Sequence, residues 1–144
     1  MPDTAESTQA FSRDAFVKRS KVAMKVLLIE DHEDTALIIA RGLETVGHSV
    51  ARANSVASAV AVLTREQFDV IISDIGLPDG NGIPLIYAIR EFCHVPAIAL
   101  TGYGNPEDIE RCLRAGFNRH LTKPVSFETL RQTIAEVCAH ATER

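Results

Sequence analysis

Apolar residues fall along this chain in short runs of two kinds, and the two kinds take turns. "KVLLIE" (25–30), "FDVIIS" (68–73) and "PAIAL" (96–100) are apolar on successive residues, the pattern of strands buried on both faces. "SVARA" (49–53) and "NRHLT" (118–122) are two further strand candidates. After each run the spacing turns helical: about Asp34 to Val46, stopped by Gly47; about Ser55 to Arg65; about Ile83 to Phe92; about Pro106 to Arg114; and about Ser126 to His140. At about 100° per residue, Ala36, Ala40, Leu43 and Gly47, flanked by Ile39 and Val46, share one side of the first helix, and Ile38 falls nearly opposite.

Strand-helix alternation of this kind predicts an α/β fold. Parallel strands need crossover connections, and here the crossovers are helices, which cover both faces of the sheet. For five strands the expected arrangement is a flavodoxin-like doubly wound five-stranded parallel sheet of order 2-1-3-4-5. Its switch point lies between the C-terminal ends of strands 1 and 3, and chemistry is expected there.

Composition narrows the class. With 144 residues, 46% hydrophobic and 24% charged, the chain suits one ordinary globular domain, and nothing in it approaches a membrane-spanning apolar run. A net charge of −4 argues against direct nucleic-acid binding. Cys93, Cys112 and Cys138 have no metal-like or disulfide-like spacing and read as small hydrophobes in a reducing, cytoplasmic setting. His32, His48, His94 and His140 are scattered and read as surface or packing residues. Residues 1–23 carry no strand pattern and form an N-terminal extension, flexible or a short helix along Phe11, Ala15 and Phe16; 24–141 is the domain and 142–144 a tail.

The predicted strand ends carry the chemistry. Strand 1 delivers Glu30 and Asp31, strand 3 Asp74, strand 4 Thr101, and strand 5, a little past its end, Lys123. Three carboxylates gathered in one crevice repel one another unless a cation neutralises them, and a hard divalent ion such as Mg²⁺ suits an all-oxygen donor set. A hydroxyl and an ammonium beside them complete a site for a phosphoryl group. Each residue alone has a plainer reading: Asp74 before "GLPDGNG" caps a loop, Glu30 and Asp31 are a solvated pair, and Thr101 and Lys123-Pro124 merely end strands. Asp34 is a candidate N-cap of the first helix.

Together, "LLIEDHEDT", "DVIISDIGLPDGNG", "IALTGYG" and "AGFNRHLTKPV" resemble the receiver domain of bacterial two-component response regulators, across residues 24–141. The resemblance implies that Asp74 accepts a phosphoryl group from a phosphohistidine. It implies Mg²⁺ held by Glu30, Asp31, Asp74 and the backbone carbonyl of Gly76, with Thr101 and Lys123 on the phosphoryl oxygens. It also implies a cis bond before Pro124 and a partner that is a sensor histidine kinase or a histidine phosphotransfer protein. The domain is then a signalling phosphoacceptor that assists its own phosphorylation and dephosphorylation, not a turnover enzyme, and is a monomer or weak dimer. Gly76 and Tyr103, each two residues past a site residue, are expected to tune water access.

Two positions depart from the family's commoner pattern. Glu30 stands where Asp is also frequent, and His120 stands where many receivers place an aromatic that swings inward with Thr101. His120 is expected near the surface of the strand 5 face, with any signal through it depending on pH between about 6 and 7. Ile38, Thr35 and Pro124 are expected to form the docking patch for the phosphodonor. The motifs look most like receivers of hybrid sensor kinases or free-standing relay receivers. Ending at Arg144, the chain leaves no room for an attached output domain, so it reads as a single-domain regulator or a receiver cut from a longer protein. The alternative function is a small aspartyl-phosphate phosphatase or phosphotransferase. Such enzymes generally place a second Asp two residues after the nucleophile, where this chain has Gly76. A flavin-binding reading fails on "EDHED", whose charge would repel a phosphate.

Overall fold

The computed structural model describes residues 23–77, 79–102 and 105–143, with side chains of the last helix to residue 139. Five strands, β1 (Lys25–Ile29), β2 (Ser49–Ala53), β3 (Val70–Asp74), β6 (Ala97–Thr101) and β7 (Arg119–Thr122), make one sheet of order β2-β1-β3-β6-β7. All pairs in it are parallel. Taken in chain order, this is the expected 2-1-3-4-5 arrangement. Two two-residue strands, β4 (Gly76–Leu77) and β5 (Gly80–Asn81), form a small antiparallel pair inside what reads in sequence as a loop.

Helices α1 (Glu33–Thr45), α2 (Val56–Leu63), α3 (Gly82–Ile89), α4 (Pro106–Ala115) and α5 (Phe127–Glu143) fill the crossovers and the end. On one face, α1 and α5 bury Ala36, Ile39, Ala40, Leu43, Leu130 and Ile134 against Val26, Leu28, Ile72 and Leu100. On the other, Ala59, Leu85, Ile86, Ile89, Cys112 and Ala115 of α2, α3 and α4 cover Leu27, Ile29, Ile71 and Ala99. Alternate residues of each central strand thus feed opposite cores, which is why β1, β3 and β6 are apolar throughout. Cys112 and Cys138 are buried and Cys93 is half-buried. Burial pushes the Cys138 thiol up to about 11, as befits a packing residue.

Local chemistry explains most boundaries. Ser55 starts α2 with a reciprocal capping box to Ser58, and Gly47 follows α1 with φ +104°, a conformation glycine adopts without strain. Asp34, the candidate N-cap of α1, lies one residue inside the helix. His32 occupies the cap position without a side-chain hydrogen bond, and Glu33 and Asp34 place negative charge in the first turn. The expected third helix is shorter than the sequence suggests, ending at Ile89, and the last runs past His140 to Glu143. The carboxylate of Asp79, from the turn between β4 and β5, accepts the N–H groups of Val56 at 2.7 Å and Ala57 at 3.1 Å. The loop after β3 is therefore fastened to the start of α2, and these two hydrogen bonds hold the Asp79 carboxyl below its ordinary value.

Arg90, just past α3, fastens a second junction. Its guanidinium donates to the carbonyls of Gly116 at 2.8 Å, Cys93 at 3.1 Å and Val95 at 2.6 Å, and to Asn118 Oδ1 at 3.2 Å. One side chain thereby ties the α3 end to the turns that precede β6 and β7. Replacing Arg90 by Met is expected to lower stability by about 2–3 kcal/mol, since several charge-assisted hydrogen bonds are lost at once. Urea denaturation measures this; a change within about 0.5 kcal/mol, the range of an ordinary surface substitution, contradicts it.

Candidate functional site

The C-terminal ends of β1, β3 and β6 bring Glu30, Asp31, Asp74 and Thr101 together, and the turn after β7 adds Lys123. Parallel register does the positioning: Ile29 pairs with Ser73, and Asp74 with Leu100, so the strands end at one level. Lys123 is anchored through its backbone N–H, which donates to the Thr101 carbonyl at 2.7 Å. The Lys123–Pro124 bond is cis. At the base, the Gly82 N–H donates to the Ile75 carbonyl at 2.7 Å. A Cβ at Gly82 would lie 2.9 Å from the Asp74 carbonyl oxygen and 3.2 Å from the Ile75 Cα.

Lys123 Nζ bridges two carboxylates, at 3.0 Å from Glu30 Oε1 and 2.9 Å from Asp74 Oδ2. The Glu30 side chain is fully buried, and its second oxygen accepts the His32 N–H at 3.1 Å. Burial pushes the Glu30 carboxyl up from its ordinary range; the Lys123 and His32 hydrogen bonds pull against that, and Asp74 adds to it. Burial by itself would lower the Lys123 ammonium, but hydrogen bonds and attraction to Asp74 and Glu30 outweigh it and hold the group above the usual lysine value.

Oxygens of Glu30, Asp31 and Asp74 all lie within 4.8 Å of one another, with Glu30 and Asp74 buried and Asp31 exposed. Among the described residues, this is the cluster able to hold a metal ion. Three carboxylates against one bridging ammonium leave an excess of negative charge in a partly buried place, and every donor is a hard oxygen. The set fits a hard divalent cation such as Mg²⁺.

A cleft of about 470 Å³ opens above these residues. Asp31, Asp74, Gly76, Thr101 and Lys123 line it, and Asp108, Arg111 and Cys112 of α4 form its far wall. Thr101 Oγ1 lies 2.7 Å from His120 Nε2. His120 is half-buried and hydrogen-bonded into the site, closer to the chemistry than a surface position. Gly76 is exposed, with open space where a side chain would stand, and Tyr103 lies outside the described residues. Ile38 is 72% exposed, opposite the buried stripe of Ala36, Ala40 and Leu43. Thr35 is half-buried and Pro124 exposed.

A family model for the response regulator receiver domain matches residues 26–135, more than half of the chain and all of these site residues. The chain belongs to the response regulator receiver domain family. An uncharacterized 14.6 kDa protein of Leptolyngbya boryana is 36% identical over 118 residues, covering 80% of this chain and 90% of that protein. The sensor histidine kinase RcsC of Salmonella typhimurium is 31% identical over 113 residues, which are 78% of this chain but only 12% of the kinase. Among solved structures, the receiver domain of the sensor histidine kinase PA1611 of Pseudomonas aeruginosa superposes with a TM-score of 0.75 at 30% identity, covering 82% of this chain and 99% of that one. That structure carries a magnesium ion coordinated in its active-site cleft.

Sequence reasoning passed over Gly82, Asp108, Arg111 and the contact between His120 and Thr101. Gly82 had a signal, since a glycine at the start of a helix asks for a reason beyond turn formation. The other three depend on which face α4 presents, which local patterns leave open. Gly82→Ala is expected to lower stability by about 1–3 kcal/mol, because the added methyl meets backbone, which gives way less readily than side chain. Thermal unfolding of the variant checks this, and an unchanged midpoint refutes the close approach.

Proposed function

We propose that this receiver domain takes a phosphoryl group onto Asp74 from a phosphohistidine and signals through protein contacts. The supporting observation is the setting of Asp74: a largely buried carboxylate at the mouth of a central strand, 2.9 Å from an ammonium and beside two further carboxylates. The donor is a sensor histidine kinase or a histidine phosphotransfer protein, in keeping with the kinases that contain similar segments. In this reading the domain is cytoplasmic, a monomer or weak dimer, and without direct contact to nucleic acid. No helix among the described residues is long and apolar enough to cross a membrane.

In the transfer step an Asp74 carboxylate oxygen attacks phosphorus in line. The O–P bond forms as the P–N bond to the donor imidazole breaks, and the electron pair of that bond stays on the imidazole nitrogen. The attacking group is a carboxylate with no proton to lose, so the step needs positioning and charge neutralisation more than an acid or a base. Lys123 supplies positive charge beside Asp74, and Thr101 donates its hydroxyl to a phosphoryl oxygen. Glu30, Asp31, Asp74 and the Gly76 carbonyl would hold Mg²⁺, which when bound would neutralise the clustered carboxylates and the transferring oxygens. Hydrolysis of the acyl phosphate then restores Asp74, so the domain is a self-resetting signal carrier instead of a turnover enzyme.

Docking is assigned to the exposed side of α1. Ile38 and Gly42 are one turn apart on that helix. The Phe127 ring of α5 packs against Gly42 so closely that a Cβ there would lie 2.7 Å from it. Phe127 thus extends the Ile38 surface toward Pro124, and Thr35 lies one turn before Ile38 at the site end of the helix.

Incubation with acetyl phosphate and MgCl2 is expected to give one phosphate adduct by intact mass. The adduct should be absent when EDTA is present during the reaction and absent in Asp74→Asn; persistent labelling of that variant would falsify the assignment. Ile38→Glu is expected to slow transfer from the cognate phosphohistidine donor by at least about tenfold, equivalent to roughly 1.4 kcal/mol of lost contact. Labelling by acetyl phosphate, which needs no docking, should not change. If both donors slow equally, or neither slows, Ile38 is not at the interface.

A further inference from the structure

We propose that His120 is a proton-linked positioning residue, which holds the Thr101 hydroxyl in the resting site and releases it by binding a proton on Nε2 when a phosphoryl group arrives on Asp74. The inference rests on the receiver reading above and adds a second chemical event to it: proton uptake coupled to phosphorylation.

The geometry carries the coupling. His120 Nε2 and Thr101 Oγ1 are 2.7 Å apart, a full hydrogen bond. His120 pairs in register with Ala99, whose side chain belongs to the core under α4, so the imidazole stands on the same face of the sheet as the α4 wall of the cleft. A hydroxyl has one proton to donate. With Nε2 bare, that nitrogen is an acceptor and competes for the Thr101 proton. A phosphoryl group on Asp74 presents only acceptor oxygens, and it needs the same proton. Once Nε2 carries a proton the direction reverses: N–H donates to Oγ1, and the Thr101 O–H turns to the phosphoryl oxygen. The proton comes from solvent and leaves again when the acyl phosphate hydrolyses.

Electrostatics push the same way. Burial lowers the His120 imidazole below its ordinary value, which keeps it neutral in the resting domain at neutral pH. Negative charge added at Asp74 favours the imidazolium and works against that burial. The charged groups of the cleft wall and of β7 and its following turn are engaged. Asp108 and Arg111 of α4 pair with each other at 3.2 Å, Arg119 of β7 pairs across to Glu136 of α5 at 3.5 Å, and Lys123 is held by Glu30 and Asp74. Cys112 is the remaining titratable group of α4 on the cleft, and burial raises its thiol so that it stays neutral. Among the described residues on this face, His120 is therefore the group placed to change charge near neutral pH.

Linkage makes the effect reciprocal: if the phosphoryl state raises proton affinity at His120, lower pH must favour the phosphoryl state. The test uses beryllium fluoride with MgCl2 as a stable phosphoryl mimic. Nitrogen–proton NMR of the histidine rings in the wild-type domain should show His120 Nε2 unprotonated at about pH 7.5 and protonated after the mimic is added, with the His120 titration midpoint moved upward. In parallel, affinity for the mimic is measured for wild type and for His120→Gln, whose amide can bond Thr101 but does not titrate. The ratio of wild-type to variant affinity should rise about three- to tenfold from about pH 7.5 to pH 6, a tenfold change corresponding to one unit of differential protonation. Taking the ratio cancels the pH dependence of the mimic itself. A flat ratio, or a ring that carries Nε2–H at rest and titrates at the same midpoint after the mimic is added, overturns the proposal. If the wild-type domain binds the mimic and takes phosphate from acetyl phosphate but the ratio is flat, the coupling alone falls. If it does neither at any pH, the receiver reading falls and the coupling with it.

Discussion

One ammonium group holds the working end of this domain together. Lys123 Nζ reaches Glu30 at 3.0 Å and Asp74 at 2.9 Å, residues 93 and 49 positions away in the chain, and so ties the turn after β7 to the ends of β1 and β3. Burying carboxylates side by side is costly, and one cation does not balance three of them. What keeps the arrangement in place is the sheet beneath it. Four parallel registers, each with apolar residues packed on both faces, fix the strand ends more firmly than the charges can push them apart. The raised Glu30 carboxyl records the tension that remains. A folded-state shift in that direction means that Glu30 contributes its full stability below its ordinary titration range and loses it as pH rises through the shifted value. At neutral pH the cluster is therefore a place where stability is given up, and a divalent cation is the natural partner to recover it.

Much of this plan could be read in the sequence, because it follows from local patterns. Successive apolar residues marked β1, β3 and β6 as central strands, Gly47 and Ser55 marked helix ends, and the 3.6-residue period separated Ile38 from Ala36, Ala40 and Leu43. Strand ends then brought the acidic residues to one edge without any further assumption. The features that escaped are contacts between segments with no common pattern. Asp79 looks like a turn residue and serves as one, yet its carboxylate caps α2, more than 20 residues upstream. Arg90 reads as an ordinary charge at a helix end, and nothing local says that its guanidinium collects carbonyls from two later turns. His32 took the cap position of α1 from Asp34 because the chain leaving Glu30 is held by the His32 N–H, a constraint imposed by the site and not by helix propensity.

The two faces of the sheet divide the labour of the site. On the face covered by α1 and α5, Ile38 of α1 and the Phe127 ring of α5 are exposed apolar side chains. On the opposite face, Thr101 and His120 look toward α4 and the cleft wall of Asp108, Arg111 and Cys112. Asp74 lies between the two, at the edge they share. A donor that docks on α1 can therefore deliver a phosphoryl group without covering α4.

That separation decides how a signal can travel. The strands themselves are poor carriers: Ile71, Ile72, Ile98 and Leu100 are fully buried, and a close-packed core resists the displacement a moving strand would require. A polar side chain at a strand end can reverse a hydrogen bond without moving the strand, and the 2.7 Å contact between Thr101 and His120 is the link through which a change at Asp74 meets the β7 edge. A rotating aromatic at position 120 would transmit by filling or vacating space. An imidazole bonded to the threonine hydroxyl transmits by exchanging donor for acceptor, which needs only a proton and a small adjustment of the hydroxyl. The packing of α4 on β7 can then stay as it is while the charge and hydrogen bonding presented beneath it change. In this domain the bistable element is best placed in the direction of one hydrogen bond, and the fold serves to keep both of its ends still.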